Sequence, residues 1–150
     1  MATSGLPLPI APQPMATRSA IAVQSGQTFR AVYCHWDGYP SHQLPILQSK
    51  YNTAKGASGL IAPGDLSSLE TEQDWQRQTL PQARPLYYHE RGDLNTSPRS
   101  FATLSDLAQW ADGCCCEHLY LYKPRKGWHH QPISRDPEPA AMPGCDPAQW

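Results

Sequence analysis

Apolar residues recur in two short β-prone runs early in the chain, Arg18 to Val23 (RSAIAV) and Phe29 to His35 (FRAVYCH), separated by QSGQT. Alternating β-branched and aromatic residues around a turn supplied by Gly26 predict a hairpin. DGYPS then interrupts the strand pattern. Beyond it Leu44, Ile46, Leu47 and Tyr51 follow an approximate helical stripe, with Ser41 as the expected N-cap and Pro45 compatible only with a first turn. A second short helix is expected to open at Asn52 or Thr53 and to stop at Ala62 to Asp65 (APGD). Ser67 to Pro85 is polar, rich in glutamine and without period, so it reads as an irregular connection with one short helical piece near Gln73 to Gln78. PLYYHE (Pro85 to Glu90) predicts a third strand, RGDLNTSPRS a long loop, and TLSDLAQWADG a helix capped by Ser105 and stopped by Gly113. EHLYLYKPRKGWHHQ closes the pattern with a strand, a PRKG turn and a returning strand.

This order predicts an α+β fold, an antiparallel sheet of about five strands with two to four helices mainly on one face. Composition changes the picture at the two ends. Residues 1–14 hold four prolines and no charge, so they read as a flexible leader, and the MAT of Met1 recurs at Met15, which points to Met15 as a natural start. Residues 131–150 hold five prolines, which remove backbone donors and block helix and central-strand geometry, so a disordered tail is expected. A single domain over 15–130 remains. Twelve Trp and Tyr against two Phe make its core aromatic with polar tips.

Twelve Lys and Arg against thirteen Asp and Glu leave a net charge of −1, which excludes a global field for nucleic acid or an anionic membrane. No apolar run approaches the roughly 20 residues that span a bilayer. Five cysteines, Cys34, Cys114, Cys115, Cys116 and Cys145, are an odd number without repeated spacing, so reduced thiols are expected.

The densest chemistry lies in YCHWDGYPSH, Tyr33 to His42, where a strand ends and a turn begins. His35, Trp36, Asp37, Tyr39 and His42, together with Arg91, are candidate ligand-binding residues, because side chains at a strand end project from a rigid element. His35, Asp37 and His42 suit zinc or iron by type, but their spacing matches no strong metal signature, so no metal site is assigned. The competing reading is architectural: Asp37 and Gly38 form a turn pair with Gly38 tolerating positive φ, while His35 and Trp36 pack around it. A second cluster, YYHERGD (Tyr87 to Asp93), offers His89, Glu90, Arg91 and Asp93. If its strand lies beside the first hairpin, His35, Asp37, His89 and Arg91 become candidate catalytic residues, an acid/base set with a cation for charge stabilisation. Ordinary strand alternation, Tyr87 and His89 inward against Tyr88 and Glu90 outward, explains the same residues. In GCCCEH, extended geometry sends Cys114 and Cys116 to one face and Cys115 to the other. YKPRKGWHH places Lys123, Arg125 and Lys126 around a hairpin turn with Trp128 as a stacking surface, a local patch for nucleic acid or a solvated tip.

MATRSAIAV, VYCHWDGYPSHQLPILQSKYNT and LIAPGDLSSL, followed by YYHERGD and LYLYKPRKGW, together resemble a family of small uncharacterised proteins encoded by bacteriophages, prophages and plasmids. The resemblance spans roughly Met15 to Trp128 and implies a cytoplasmic protein of a bacterial host, with no activity to carry over. The expected function is a non-catalytic accessory protein of a phage or other mobile element that binds a host macromolecule or a small anionic ligand. The alternative is a small hydrolase or phosphoester-cleaving enzyme built on His35, Asp37 and His89.

Overall fold

The computed structural model describes residues 17–133. The expected leader over 1–14, the start at Met15 and the tail from residue 134 onward lie outside the described residues. Seven strands and three α-helices follow one another as β1 (Ser19–Ser25), β2 (Thr28–Trp36), α1 (Pro40–Lys50), α2 (Ala54–Ile61), β3 (Leu66–Gln73), β4 (Thr79–Tyr87), β5 (Arg99–Phe101), α3 (Leu104–Gly113), β6 (His118–Lys123) and β7 (Gly127–Pro132). A 3-10 turn, Tyr88–Arg91, follows β4. β7 carries the domain two residues past its expected end at 130.

The fold is α+β, but its sheet is mixed rather than antiparallel. Its order is β4-β3-β2-β1-β6-β7, with β5 pairing to β2 beside this path. β1 is antiparallel to β2 and parallel to β6. β2 is parallel to β3 and antiparallel to β5. Parallel neighbours need a long crossover, and the helices are carried on such connections: α1 and α2 lie between β2 and β3, and α3 precedes β6.

Helices cover both faces, which corrects the expectation of one. Ile21, Val23, Val32, Leu66 and Tyr120 pack against Leu47 of α1 and Leu60 and Ile61 of α2. On the opposite face Ala20, Ala22, Ala31, Tyr33 and Leu119 pack against Leu107 and Ala111 of α3. Small side chains from β1 and β2 let α3 sit close to the sheet, so β1 is buried on both sides, as strands under two helical layers are.

Several local expectations are corrected with it. Ser67 to Pro85 is the β3-β4 hairpin, not an irregular connection; Asp74 Oδ1 accepts from the amides of Gln76 and Gln78 and closes its turn. Register shifts along that pair erase the alternation by which a strand is recognised. The strand expected over Pro85 to Glu90 ends at Tyr87, and the loop expected over 91–100 yields the short β5. α1 starts at Pro40 with Tyr39, not Ser41, at its cap, and keeps Pro45 inside. α2 is capped as expected, with Thr53 Oγ1 accepting from the Gly56 amide. α3 is capped by Thr103, whose Oγ1 accepts from the Asp106 amide, rather than by Ser105. Cys114 ends α3 and Cys115 turns the chain with a φ of 63°, so the triple cysteine is not extended. Cys34, Cys114 and Cys116 are in no disulfide, whereas Cys115 is disulfide-bonded, against the expectation of uniformly reduced thiols.

Candidate functional site

Half of YCHWDGYPSH is architecture. Gly38 donates its amide to Thr17 O at 2.8 Å, and its carbonyl accepts from the Tyr120 hydroxyl at 2.6 Å. A Cβ at Gly38 would lie 2.7 Å from both Ser19 Cβ and Thr17 O, so any larger residue collides with the start of β1. The left-handed backbone of the turn falls on Asp37, with a φ of 56°, not on Gly38 as expected; aspartate tolerates that region. Behind the turn, fully buried Gln43 of α1 accepts from Ser19 Oγ at 2.8 Å and donates to Cys34 Sγ at 3.2 Å. Burial pushes the Cys34 thiol up to about 12, which makes it an inert packing group rather than a nucleophile.

The other half faces the α3 side, where β2 does something only its pairing reveals. Its outer edge is shared: β5 pairs with Phe29 to Ala31, and β3 pairs from Cys34 onward. The Tyr33 amide falls in the gap, and the buried Asp65 carboxylate accepts it at 2.9 Å in place of a strand partner. Arg99 of β5 pairs with the same Asp65 oxygen and lies 5.2 Å over the Trp110 ring. The two strands leaving one edge open a crevice of about 200 Å³, lined by Tyr33, Asp65, Tyr88, Arg91 and Arg99 with the loop from Asp93 to Thr96. Arg91 bonds Asp93 through Nε and one terminal nitrogen, at 2.9 and 2.8 Å. Its guanidinium lies 4.6 Å over Trp75 and 5.1 Å over Tyr88, which fixes it at the rim.

Burial raises the Tyr33 phenol and the Tyr88 phenol, and burial with the nearby Arg18 holds the His35 imidazole down to about 4. Both partners of the Tyr33 hydroxyl and His35 Nδ1 contact, 2.7 Å, are therefore neutral near pH 7, and the tautomer of His35 sets which of them donates. Between the ordinary 6.5 and about 4, the unfolded chain binds a proton at His35 that the folded chain refuses. Stability from this group is thus complete above 6.5 and falls as the pH drops toward 4. His35→Gln keeps an acceptor for Tyr33 but cannot titrate. Urea midpoints at about pH 7 and about pH 4.5 are expected to fall further for the parent than for the variant; equal falls would show that His35 titrates freely in the fold.

Of the ligand-binding and catalytic candidates expected from sequence, Arg91 lines the crevice, together with Asp93 from the same YYHERGD cluster. His35 touches it through Tyr33. His89 is exposed, and its ring lies 5.9 Å from Tyr87, a residue packed against the α1 and α2 core. The ring neighbours of His35 are Tyr33 and Trp36, and neither histidine lines the crevice. Asp37 is exposed in its turn. Trp36 and Tyr39 are the most exposed aromatics of the block, at 44% and 41%, and His42 stacks on Tyr39 at 5.7 Å. Among the described residues no three His, Cys, Asp or Glu are grouped to hold a metal ion. Trp128 is buried and donates its indole N–H to Tyr51 O at 3.0 Å, so it is no stacking surface for nucleic acid; Arg125 and Lys126 are left as an exposed tip with Lys123 half-buried.

Sequence reasoning missed Tyr33, Asp65, Tyr88 and Arg99 as crevice residues, because they come from four separate stretches joined only by sheet pairing. The one local signal is an acid directly after Gly64 at the start of β3. No described helix is long and apolar enough to cross a membrane. Compared with known proteins, the chain matches no family model, no curated protein and no solved structure.

Proposed function

We propose that this chain is a non-catalytic accessory protein of a phage or other mobile element, and that its crevice takes a small anionic group, free or carried on a host macromolecule. The mobile-element part rests on the resemblance of the YCHWDGYP block and its companions. One observation carries the binding part: two guanidiniums, Arg91 and Arg99, border one cavity, and each is already held in place by an acid of the protein itself. Arginine has five N–H donors. Arg91 spends two nitrogens on Asp93, and Arg99 spends its terminal nitrogens on Asp65 and the Asn95 carbonyl, so donors remain for a guest. Arg91 and Arg99 balance Asp65 and Asp93, so what the crevice offers an anion is directed N–H donors.

Size narrows the guest. The cavity, about 200 Å³, is below the ~300–1,000 Å³ of sites for drug-sized molecules, so it suits a phosphate- or carboxylate-sized group with at most one ring. The acids lining it are committed to arginines, which favours holding over turnover.

Phenyl phosphate is a suitable probe, followed by amide NMR shifts at constant ionic strength and by phosphorus NMR for cleavage. Saturable shifts are expected at Tyr33, Thr96 and Arg99. Arg91→Gln is expected to weaken them by about 10- to 100-fold, the equivalent of a charge-assisted hydrogen bond of about 1.5–3 kcal/mol. Unchanged binding in Arg91→Gln would remove the crevice from the reading. Release of free phosphate in proportion to protein and time would replace it with the phosphoester-cleaving alternative.

A further inference from the structure

On the sheet face away from the crevice, His118 of β6 and His130 of β7 point their nitrogens at each other, Nδ1 to Nε2, 2.9 Å apart. We infer that this pair is a chelating site for a divalent transition metal of tetragonal preference, Cu²⁺ or Ni²⁺. The two rings are neighbours because β6 and β7 are antiparallel in a register that sets Tyr120 opposite His130 and His118 one same-face step along. Their centroids are 5.0 Å apart, and the Tyr120 ring lies 5.2 Å from His130 and 6.4 Å from His118. Tyr120 cannot drift, since it is fully buried and its hydroxyl is tied to the Gly38 carbonyl. It gives both imidazoles a rigid wall, and with it the preorganisation that two histidines on a free surface lack.

The separation suits tetragonal coordination. Bonds of about 2.0–2.1 Å from imidazole nitrogen put two ligands about 2.9 Å apart at a right angle and about 3.4 Å apart at the tetrahedral angle. The observed 2.9 Å fits adjacent corners of a square-planar or octahedral ion, the geometry of Cu²⁺ and Ni²⁺ with nitrogen ligands. Without metal the same distance is an N–H···N hydrogen bond; the ion takes the place of the shared proton, which moves to the far nitrogen of the donor ring so that both facing nitrogens present lone pairs. Small rotations about χ2, which is broad for histidine, turn both lone pairs to one point. No third His, Cys, Asp or Glu joins the pair among the described residues. Two protein ligands from the described residues describe an exchangeable ion rather than a structural one.

The test is titration of the untagged full chain with Ni²⁺ by calorimetry, with Cu²⁺ electron paramagnetic resonance as a second readout. One saturable site is expected, with a copper spectrum split by two nitrogens. His118→Ala and His130→Ala are each expected to weaken Ni²⁺ by more than the roughly 10- to 100-fold lost with an outer-shell partner. His129→Ala, the exposed neighbour one residue before His130 in β7 and so on the other face, is expected to bind as the parent does. Parent-like binding in both His118→Ala and His130→Ala, an equal loss in His129→Ala, or no saturable heat in the parent would each overturn the site. Phenyl phosphate binding is unaffected by any of these outcomes, so this site and the crevice stand or fall separately.

Discussion

Gly64→Ala is expected to destabilise the fold by about 3–5 kcal/mol and to abolish ligand binding in the crevice, through a left-handed backbone and a backbone collision together. Gly64 has a φ of 108°, and a Cβ there would collide with the Thr96 carbonyl oxygen, which belongs to the loop lining the crevice. That oxygen also accepts the Asp65 amide at 2.8 Å. To admit a methyl group the loop must leave β3, and the amide beside the buried Asp65 then loses its partner, at about 1–3 kcal/mol. Since domains of this size are stable by only about 5–15 kcal/mol, the loss is a large share of the whole. At roughly 4 °C per kcal/mol the thermal midpoint is expected to drop by about 12–20 °C. Gly92→Ala is the control, because Gly92 has a φ of 96° but nothing within 4 Å of the added atom. It is expected to cost about 1–2 kcal/mol from backbone strain alone. Equal losses in the two variants, read by thermal and urea unfolding, would mean that the Thr96 loop yields without cost and does not shape the crevice.

Arg99→Ala is expected to cost about 2–3 kcal/mol near neutral pH, somewhat below the about 3–5 kcal/mol of a fully buried pair because the guanidinium is partly solvated. The side chains of Arg99 and Asp65 are 34% and 10% exposed, so the carboxylate is the group left stranded. Burial already raises the Asp65 carboxyl above the ordinary range, against the opposing pull of Arg99 and the Tyr33 amide. Without Arg99 it rises further. A carboxyl whose folded pKa lies above its unfolded one binds its proton more readily in the fold, so stability is regained as the pH falls through the folded value. The deficit of Arg99→Ala is therefore expected to shrink between about pH 7 and about pH 5, in urea unfolding at both. Asp65→Asn combined with Arg99→Ala is expected to recover part of the loss, because no buried charge then lacks a partner. A deficit that does not change with pH would assign the cost to the lost packing on Trp110 instead.

The elements that were legible in the chain are those whose signals are local. The RSAIAV and FRAVYCH runs, the Thr53 cap, the TLSDLAQWADG helix and the PRKG hairpin each rest on hydrogen bonds or alternation within a few residues, and each is present. Partner choice was not legible. β1 reads as an ordinary alternating strand, yet Ala20 and Ala22 are as fully buried as Ile21, because α3 lies over them. An alanine that leaves room for a helix has the same letter as one that faces water. β3 and β4 were hidden for a related reason: their register shifts break period two, and their polar outer residues resemble those of a loop.

By itself the sequence determined the β1-β2 and β6-β7 hairpins, the Thr53 cap, the α+β class, and a turn at Asp37 and Gly38 whose neighbours hold reactive side chains. Tertiary structure decided what those side chains do. Cys34 and Gln43 became a buried brace, Trp128 became core, and His35 came to rest against the Tyr33 hydroxyl. It also made the crevice, since the gap that Asp65 fills exists only where β3 and β5 leave the same edge of β2. The physical reason is range: turns and caps are settled by bonds across a few residues, whereas a crevice or a pair of facing imidazoles is settled by which strands pair, and pairing is the choice of the whole chain.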